Sequence, residues 1–169
     1  RTKAIGLNFA DVLARLGVYP AIPDPPFVPG IESSGIIETV GADVRRLRKG
    51  DRVIAFSRQG AYAEFVCTKE LFCIRIPKRM SFQEAAAFSV ASFSAYHGMI
   101  TLAHLQRKEK MLLHAAAGGV GTAALQLARQ LDVEVFATVG SEEKIGIARE
   151  LGADHVINYA TQDFEKIVL

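Results

Sequence analysis

The chain has 169 residues, half of them hydrophobic, and 20 Lys and Arg residues balance 18 Asp and Glu residues. This length and apolar content suit one medium domain or two small ones with a hydrophobic core. The net charge of +2 predicts nothing about partners. No run of basic residues is long enough to indicate a nucleic-acid or membrane-surface patch, so we expect neither partner, and no apolar stretch is long enough to cross a bilayer. The two cysteines form no disulfide framework and no signal peptide is evident, so we expect a cytoplasmic protein with reduced thiols.

The first 92 residues are predicted to form a β domain. Five of the six prolines fall between positions 20 and 29, which predicts an irregular loop there, because proline fits neither a helix interior nor a central strand. Short runs rich in β-branched residues indicate closely spaced strands, which is typical of a small barrel or sandwich. These runs lie at 35–40, 52–56, 62–67 and 72–76.

The pattern changes at Ser81, where Ser81-Phe82-Gln83-Glu84 matches a capping box and predicts a helix that continues to about Met99. Three buried strands then alternate with three helices, which predicts half of a doubly wound parallel sheet over residues 93–169. The predicted strands are 110–115, 133–139 and 155–159, and the predicted helices are 121–131, 141–151 and one that starts at Asp163. The predicted fold class is therefore α/β.

A glycine-rich loop lies between the first of these strands and the first helix. Aligned on the G-x-G-x-x-G pattern, Ala116 takes the first glycine position, Gly118 the second and Gly121 the third. The second position lets the backbone approach a pyrophosphate, and the third lets the helix pack closely on the strand. The strand–loop–helix–strand order therefore predicts a dinucleotide site, against the alternative of a tight turn without a ligand. The predicted loop contacts are Ala116, Gly118, Gly119, Val120 and Gly121.

The residues after the second strand favour NADPH over NADH. An NAD site usually has an acidic residue about 20 positions beyond the loop, where it binds the ribose 2′-hydroxyl. Here that place holds Gly140 and Ser141, so the repulsion of a 2′-phosphate is absent. Lys144 follows within one turn and is expected to pair with that phosphate, and Tyr159 is expected beside the adenosine ribose. The alternative is that Lys144 is only a solvated helix residue.

Several motifs together resemble the zeta-crystallin-like quinone oxidoreductases of the medium-chain dehydrogenase/reductase superfamily, whose members are similar to the zinc alcohol dehydrogenases. The resemblance implies a GroES-like β domain at 1–92 and the first half of a Rossmann domain at 93–169, with an active site in the cleft between them. It also implies that the chain is a fragment, and that the full-length parent is a homodimer. The motifs are 6–11, 19–20, 29–35, 50–53 and 114–121.

The same resemblance predicts that no metal is bound. In the zinc alcohol dehydrogenases of this superfamily, the segments matching 6–11 and 30–32 carry a cysteine and two histidines. The chain has Asn8, Phe9 and Ile31 at those places. An amide, a phenyl ring and an alkyl group do not replace a thiolate and imidazoles around zinc.

By the same resemblance, Asn8 and Tyr19 lie near the nicotinamide, and Ser94 and Tyr96 line the cofactor cleft from the linking helix. A hydrogen-bond donor would stabilise the oxygen on which charge develops as hydride adds to the acceptor, and Tyr19 is the expected donor. Each of these residues also has a purely structural alternative, such as holding a loop or packing in the core. His114, at the end of the first parallel strand, is predicted to be structural and not a general base.

The sequence therefore predicts a zinc-independent oxidoreductase that passes reducing equivalents from NADPH to a quinone or an α,β-unsaturated carbonyl compound. Asn8 and Tyr19 are the candidate catalytic residues. One alternative is an enoyl reductase module of a polyketide synthase. The other is a non-catalytic relative that binds a nucleotide, a partner protein or RNA.

Overall fold

The computed structural model of the protein describes residues 1–20 and 23–169 and divides into two compact units, Arg1–Val90 and Ala91–Leu169. The predicted proline-rich loop therefore lies partly outside the described residues. None of the helices in the described ranges is long and apolar enough to cross a membrane.

Unit 1 contains one four-stranded antiparallel sheet with the strands in chain order. A short helix, α1 (Phe9–Arg15), follows the first strand, and a longer helix, α2 (Phe82–Tyr96), begins in unit 1 and continues into the first residues of unit 2. A small core of Ile54, Ile76 and Ala85 lies beneath the sheet. The strands are β1 (Thr2–Ile5), β2 (Glu32–Ile36), β3 (Arg52–Phe56) and β4 (Cys73–Arg75).

Two strand predictions in unit 1 are wrong. The run at 35–40 contributes only its first two residues to β2, because Ile37 instead bonds across to Asp51 and Gly50 and closes the connection to β3. The run at 62–67 forms no strand. It makes a backbone bond from Thr2 to the carbonyl of Glu64 without the repeated ladder that defines a strand.

Unit 2 contains a three-stranded parallel sheet in the order β5-β6-β7, with strands Lys110–Leu113, Glu134–Val139 and His155–Asn158. Helices α3 (Gly119–Leu131), α4 (Glu143–Glu150) and α5 (Phe164–Val168) follow the three strands in turn. One face of the sheet and the apolar stripe of α3 share a core, which includes Leu125, Ala128, Val135, Ala137 and Val139. The predicted α/β class and the parallel half-sheet are confirmed.

The helix ends show which capping signals in the sequence correctly predicted the end of a helix. The Ser81 capping box is confirmed, because the Ser81 N–H donates to Glu84 at 2.7 Å and the Glu84 N–H donates to the Ser81 hydroxyl at 3.1 Å. Helix α4 begins at Glu143 and not at Ser141, and its N-cap residue Glu142 already has helical backbone angles. Gly152 follows α4 at φ +106, as expected for the residue that ends a helix.

Candidate functional site

The glycine loop brings the start of α3 against the turn that follows β5, at a distance that only glycine permits. A Cβ on Gly121 would lie 2.7 Å from both Cα and C of Ala116, and closer still to the carbonyl oxygen of Ala115. A Cβ on Gly118 would lie 3.2 Å from that same oxygen. The chain reverses at Ala115, which takes a left-handed φ of 53°. The close contact at Gly121 matches the helix packing that the sequence predicts for the third glycine. The approach of a pyrophosphate to Gly118 remains a prediction.

The start of α3 presents unsatisfied backbone donors. Gly118 is its N-cap and makes no side-chain cap, and the first intrahelical bond runs from the Thr122 N–H to the Gly118 carbonyl at 2.8 Å. The N–H groups of residues 119–121 precede that bond and have no partner within the helix. With the helix dipole, these donors form a surface suited to phosphate oxygens.

The end of β6 is built around Gly140. A Cβ there would lie 2.5 Å from the hydroxyl oxygen of Tyr159, so the tyrosine ring rests directly on the Gly140 backbone. The Lys144 N–H donates to the Ser141 carbonyl at 3.2 Å, which places Lys144 one turn beyond the strand end. The Lys144 side chain is exposed and makes no ion pair within the described part of the chain. The structure thus brings Gly140, Ser141, Lys144 and Tyr159 to one edge of the sheet.

Asn158 connects the segment after β6 with the turn after β7 at this edge. Its side chain is 2% exposed, and its amide nitrogen donates to a carboxylate oxygen of Glu142 at 3.0 Å. Its amide oxygen accepts from the Ala160 N–H at 3.1 Å, and its own N–H donates to Gln162 at 2.9 Å. The turn that carries Tyr159 is therefore fastened to the residue before α4, and the carboxylate of Glu142 is engaged by the Asn158 amide.

His114 has the structural role expected of it. Its Nδ1 lies 3.0 Å from the hydroxyl of Thr138, and its ring meets Phe164 edge to face at 5.1 Å. The neighbouring residue Ala116 is fully buried, and its N–H donates to the Thr138 carbonyl at 3.0 Å. These contacts tie the glycine loop to β6 and α5.

In unit 1, Asn8 is held by two buried carboxylates. Its side-chain nitrogen donates to Glu32 at 2.7 Å, and its backbone N–H donates to Asp11 at 2.9 Å. Glu32 is 2% exposed and Asp11 is 8% exposed. Asp11 also accepts from the Gly30 N–H at 3.2 Å and from the Tyr62 hydroxyl at 2.9 Å.

The Tyr62 hydroxyl supports this group of buried acids by donating a hydrogen bond to Asp11. Burial, the hydrogen bond to Asp11 and the negative charges of Asp11 and Glu32 raise the pKa of Tyr62 to about 12. The tyrosine therefore stays protonated at neutral pH and remains a donor to Asp11. Its hydrogen bond helps to keep the Asp11 carboxylate beside the Asn8 backbone.

Tyr19 lies at the surface beside a small crevice. Its side chain is 39% exposed, and the crevice, of about 10 Å³, has room for about one water. Asp11, Pro29 and Gly30 line the same crevice. The Tyr19 hydroxyl makes no hydrogen bond to any described residue, so it is available as a donor.

Ser94 and Tyr96 are both exposed, in the last turn of α2. Two residues apart on a helix differ by about 200° around its axis, so their side chains leave opposite sides. Ala95 and Met99 of the same segment pack into the core of unit 2. One ligand surface along this helix is therefore expected to include Ser94 or Tyr96 but not both.

A larger cavity, of about 380 Å³, lies in unit 1 away from these residues. Strands β2 and β3 line it together with apolar side chains that include Val44, Leu47 and Phe65. None of the predicted site residues contributes to its lining. We therefore do not assign this cavity to the predicted chemistry.

The residues at the places of the zinc ligands do not suit a metal. Asn8 is tied to Glu32, Phe9 is 74% exposed, and Ile31 lines the crevice beside Tyr19. Across residues 1–20 and 23–169, no group of three or more His, Cys, Asp or Glu side chains is placed to hold a metal ion. The absence of a metal remains a prediction based on the chemistry of these side chains.

Sequence reasoning missed the polar residues that support the site. Asp11 was noted only as part of a motif and Glu32 only as a structural polar residue, and neither Asn158 nor Glu142 was predicted to belong to the site. One local signal was present, because Asn8 and Asp11 have the spacing of an N-cap residue and its partner three positions later. The bond of Asn158 to Glu142 and the bonds of Glu32 to Asn8 and Val90 join residues 16 to 58 positions apart, so no local signal predicts them.

Two family models match the chain. The alcohol dehydrogenase GroES-like domain matches residues 1–78, and the zinc-binding dehydrogenase domain matches residues 119–169. The second description contrasts with the side chains at the places of the zinc ligands, which are an amide, a phenyl ring and an alkyl group.

Individual proteins match over nearly all of this chain. The synaptic vesicle membrane protein VAT-1 homolog of Danio rerio is 42% identical over 97% of the chain, which covers 34% of that protein. The highly reducing polyketide synthase ZEA2 of Gibberella zeae is 40% identical over 100% of the chain, which covers 7% of that protein. Among solved structures, the Escherichia coli quinone oxidoreductase complexed with NADPH superposes with a TM-score of 0.94. It is 36% identical, and the match covers 98% of this chain and 51% of that one. The chain thus spans about half the length of these relatives or less.

Proposed function

The chain belongs to the medium-chain dehydrogenase/reductase superfamily, and we propose that the protein is a zinc-independent reductase that uses NADPH to reduce a quinone or an α,β-unsaturated carbonyl compound. The observation that carries this proposal is the glycine loop, whose close packing and open N–H groups suit a pyrophosphate. The relatives that match over most of this chain include a quinone oxidoreductase, which supports the class of acceptor.

The chain's own residues would hold the dinucleotide along the edge of the parallel sheet. Gly118, Gly119, Val120 and Gly121 would bind the pyrophosphate through backbone N–H groups, with Ala116 as the buried support of the loop. Bound there, the nicotinamide supplies the hydride, and the protein orients it and excludes water.

The choice of NADPH rests on charge at the end of β6. Gly140 and Ser141 place no carboxylate where NAD sites bind the ribose 2′-hydroxyl. Lys144 has no competing ion pair among the described residues and would meet the 2′-phosphate, while Tyr159 would pack against the adenosine ribose. The carboxylate of Glu142, the residue after Ser141, is engaged by Asn158.

At the nicotinamide end, Tyr19 and Asn8 are proposed to have different chemical roles. The Tyr19 hydroxyl is free to donate a hydrogen bond to the acceptor oxygen on which charge develops. The amino group of Asn8 already donates to Glu32, so Asn8 offers its carbonyl oxygen to a ligand. We therefore assign the donor role to Tyr19 and a positioning contact to Asn8, with Ser94 or Tyr96 contributing from α2.

The proposal is tested by following NADPH oxidation at 340 nm with a quinone as acceptor, in wild type and in Tyr19→Phe. We expect activity in the wild type and a loss of about tenfold or more in kcat for Tyr19→Phe, with little change in the KM for NADPH. Ile147→Ala is a matched control on an exposed position of α4 and should leave kcat unchanged. No NADPH oxidation with any quinone or enone would reject the proposal.

A second candidate function is the enoyl reductase module of a polyketide synthase, which the match to the Gibberella zeae synthase supports. An enoyl thioester reduced much faster than any quinone would favour this candidate. The third candidate, a non-catalytic binder of a nucleotide, partner protein or RNA, predicts dinucleotide binding without turnover of either acceptor, or no dinucleotide binding at all.

A further inference from the structure

We propose that Glu32 is a positioning residue that fixes the direction of the Asn8 side-chain amide, so that the protein presents an acceptor and not a donor to the nicotinamide end of the nucleotide. The part that concerns the nucleotide rests on the proposed function. The part that concerns the Glu32–Asn8 pair rests on unit 1 alone.

Glu32 is a buried acid whose hydrogen bonds come from uncharged groups. It is 2% exposed, and it forms no ion pair with any Lys, Arg or His of the described residues. One carboxylate oxygen accepts from the Asn8 amide nitrogen at 2.7 Å. The other accepts from the Val90 N–H at 2.7 Å and from the Ser89 hydroxyl. Such a network must be fully satisfied to be stable.

The carboxylate determines which end of the Asn8 amide faces inward. An ionised carboxylate accepts hydrogen bonds and donates none, so the amide must turn its NH₂ group toward Glu32. The Asn8 carbonyl oxygen then faces away from Glu32. It lies toward the Asp11 N–H in the capping box of α1, and its second lone pair remains available to a ligand. Asp11 fixes the Asn8 backbone N–H at 2.9 Å, so neither the main chain nor the side chain is free to reorient.

The backbone at Gly6 packs closely against Glu32. A Cβ on Gly6 would lie 2.5 Å from the Ala86 carbonyl oxygen and closer still to the Glu32 carboxylate. The chain entering α1 therefore contacts both Glu32 and α2, while Glu32 bonds directly to Ser89 and Val90 of α2. These contacts hold the acid beside the Asn8 side chain.

The chemical consequence is that Asn8 offers a hydrogen-bond acceptor, and not a donor, to a ligand. A free carbonyl oxygen matches an N–H or O–H donor, such as a carboxamide NH₂ or a ribose hydroxyl of the nucleotide. It cannot stabilise a developing oxyanion. A donor at Asn8 would find no acceptor on a carboxamide NH₂ group, so reversing the amide should impair binding or orientation without removing any side chain.

The substitution Glu32→Gln makes that reversal. The Val90 N–H requires an acceptor, so the new side chain must direct its carbonyl toward Val90 and its NH₂ toward Asn8. Two NH₂ groups do not bond to each other, and the Asn8 amide must flip.

In Asn8→Asp alone, two carboxylates would face each other. In the double variant Asn8→Asp/Glu32→Gln, the new NH₂ group donates to the new carboxylate and an outward acceptor is restored.

The experiment measures NADPH oxidation and thermal unfolding of the wild type, both single variants and the double variant. We expect each single variant to lose about tenfold or more in kcat/KM for NADPH, and the double variant to recover most of that loss. Ser89→Ala, which removes a different hydrogen bond from Glu32, is the control and should change stability with little effect on kcat/KM.

Additive losses in the double variant, or an unchanged kcat/KM in Glu32→Gln, would overturn the inference while leaving the proposed function intact. A wild type that neither binds nor oxidises NADPH would reject the proposed function instead. In that case the polarity of the pair is still tested by the melting temperature, which should fall in Asn8→Asp and recover in the double variant; no recovery would overturn it.

Discussion

Replacing Gly121 by alanine tests the packing of the glycine loop most severely. The added methyl group would lie 2.7 Å from two backbone atoms of Ala116 and closer to the carbonyl oxygen of Ala115. Ordinary contacts between such atoms are about 3.5–4.0 Å, so roughly 1 Å of displacement is required. Because all three neighbours belong to the backbone, no side-chain rotation relieves the overlap, and α3 must move away from β5.

We expect Gly121→Ala to lower the free energy of unfolding by about 3 kcal/mol, which is near the upper end of the usual range for overpacking a buried position. For a protein of this size that corresponds to a Tm lower by roughly 6–12 °C. The control is Gly146→Ala in α4, where an added Cβ would meet no atom within 4 Å. That change should stabilise the protein by up to about 1 kcal/mol, because alanine is the better helix former.

Thermal unfolding followed by circular dichroism measures both variants, and dinucleotide binding is measured in parallel. Displacement of α3 also moves the open N–H groups at residues 119–121, so Gly121→Ala should weaken NADPH binding together with stability. A Gly121→Ala protein as stable as the wild type would refute the close packing of α3 on β5. Stability lost equally in Gly146→Ala would show that the effect is not specific to the loop.

Three further results are expected. Gly140→Ala should lower stability little, because the group it meets is the movable ring of Tyr159, but it should weaken NADPH binding about tenfold by displacing that ring. Asn158→Leu should release Glu142 and lower the ratio of NADPH to NADH affinity, as measured by fluorescence titration. Tyr62→Phe should cost about 1–2 kcal/mol in urea denaturation at pH 8. The difference in the free energy of unfolding between Tyr62→Phe and the wild type should disappear as the pH rises from about 10 through about 12, the raised pKa of Tyr62.

The sign of the last effect follows from linkage. A pKa that is higher in the folded protein than in the unfolded chain contributes stability below the unfolded value of 10.0, and that stability is lost as the pH passes the folded value. A constant deficit up to pH 12 would contradict the bond to Asp11. Unchanged NADPH binding in Gly140→Ala, or an unchanged NADPH-to-NADH ratio in Asn158→Leu, would contradict the roles of Tyr159 and Glu142.

The parallel half of the fold was predictable because its signals are local. The strands at 110–115, 133–139 and 155–159 and the cap at Ser81 are predicted from patterns a few residues long, and the structure has the corresponding strands and helix start. The predicted burial of the first strand is wrong, because β5 alternates between exposed and half-buried residues. The strands of unit 1 were less predictable because antiparallel pairing joins distant segments. The run at 62–67 has strand-like composition but finds no continuous partner.

The candidate site also has some features that local sequence predicts and others that depend on distant residues. The loop from Ala115 to Gly121 is a local pattern, and the close packing at Gly121 matches the prediction made from it. The left-handed turn at Ala115 was not foreseeable, because that conformation favours glycine. The bonds of Glu32 to Asn8 and Val90 join residues 24 and 58 positions apart, and only the folded chain brings them together.

The most direct test of the account is the relative affinity of the protein for NADPH and NADH, measured by titration of nicotinamide fluorescence in the wild type and in Lys144→Glu. Lys144 is exposed and lacks an ion pair within the described residues, so the substitution should leave the fold intact, and circular dichroism checks that it does. We predict tighter binding of NADPH than of NADH in the wild type, and loss of that difference in Lys144→Glu with NADH affinity unchanged. Equal affinity for the two nucleotides in the wild type, or a preference that survives in Lys144→Glu, would contradict it.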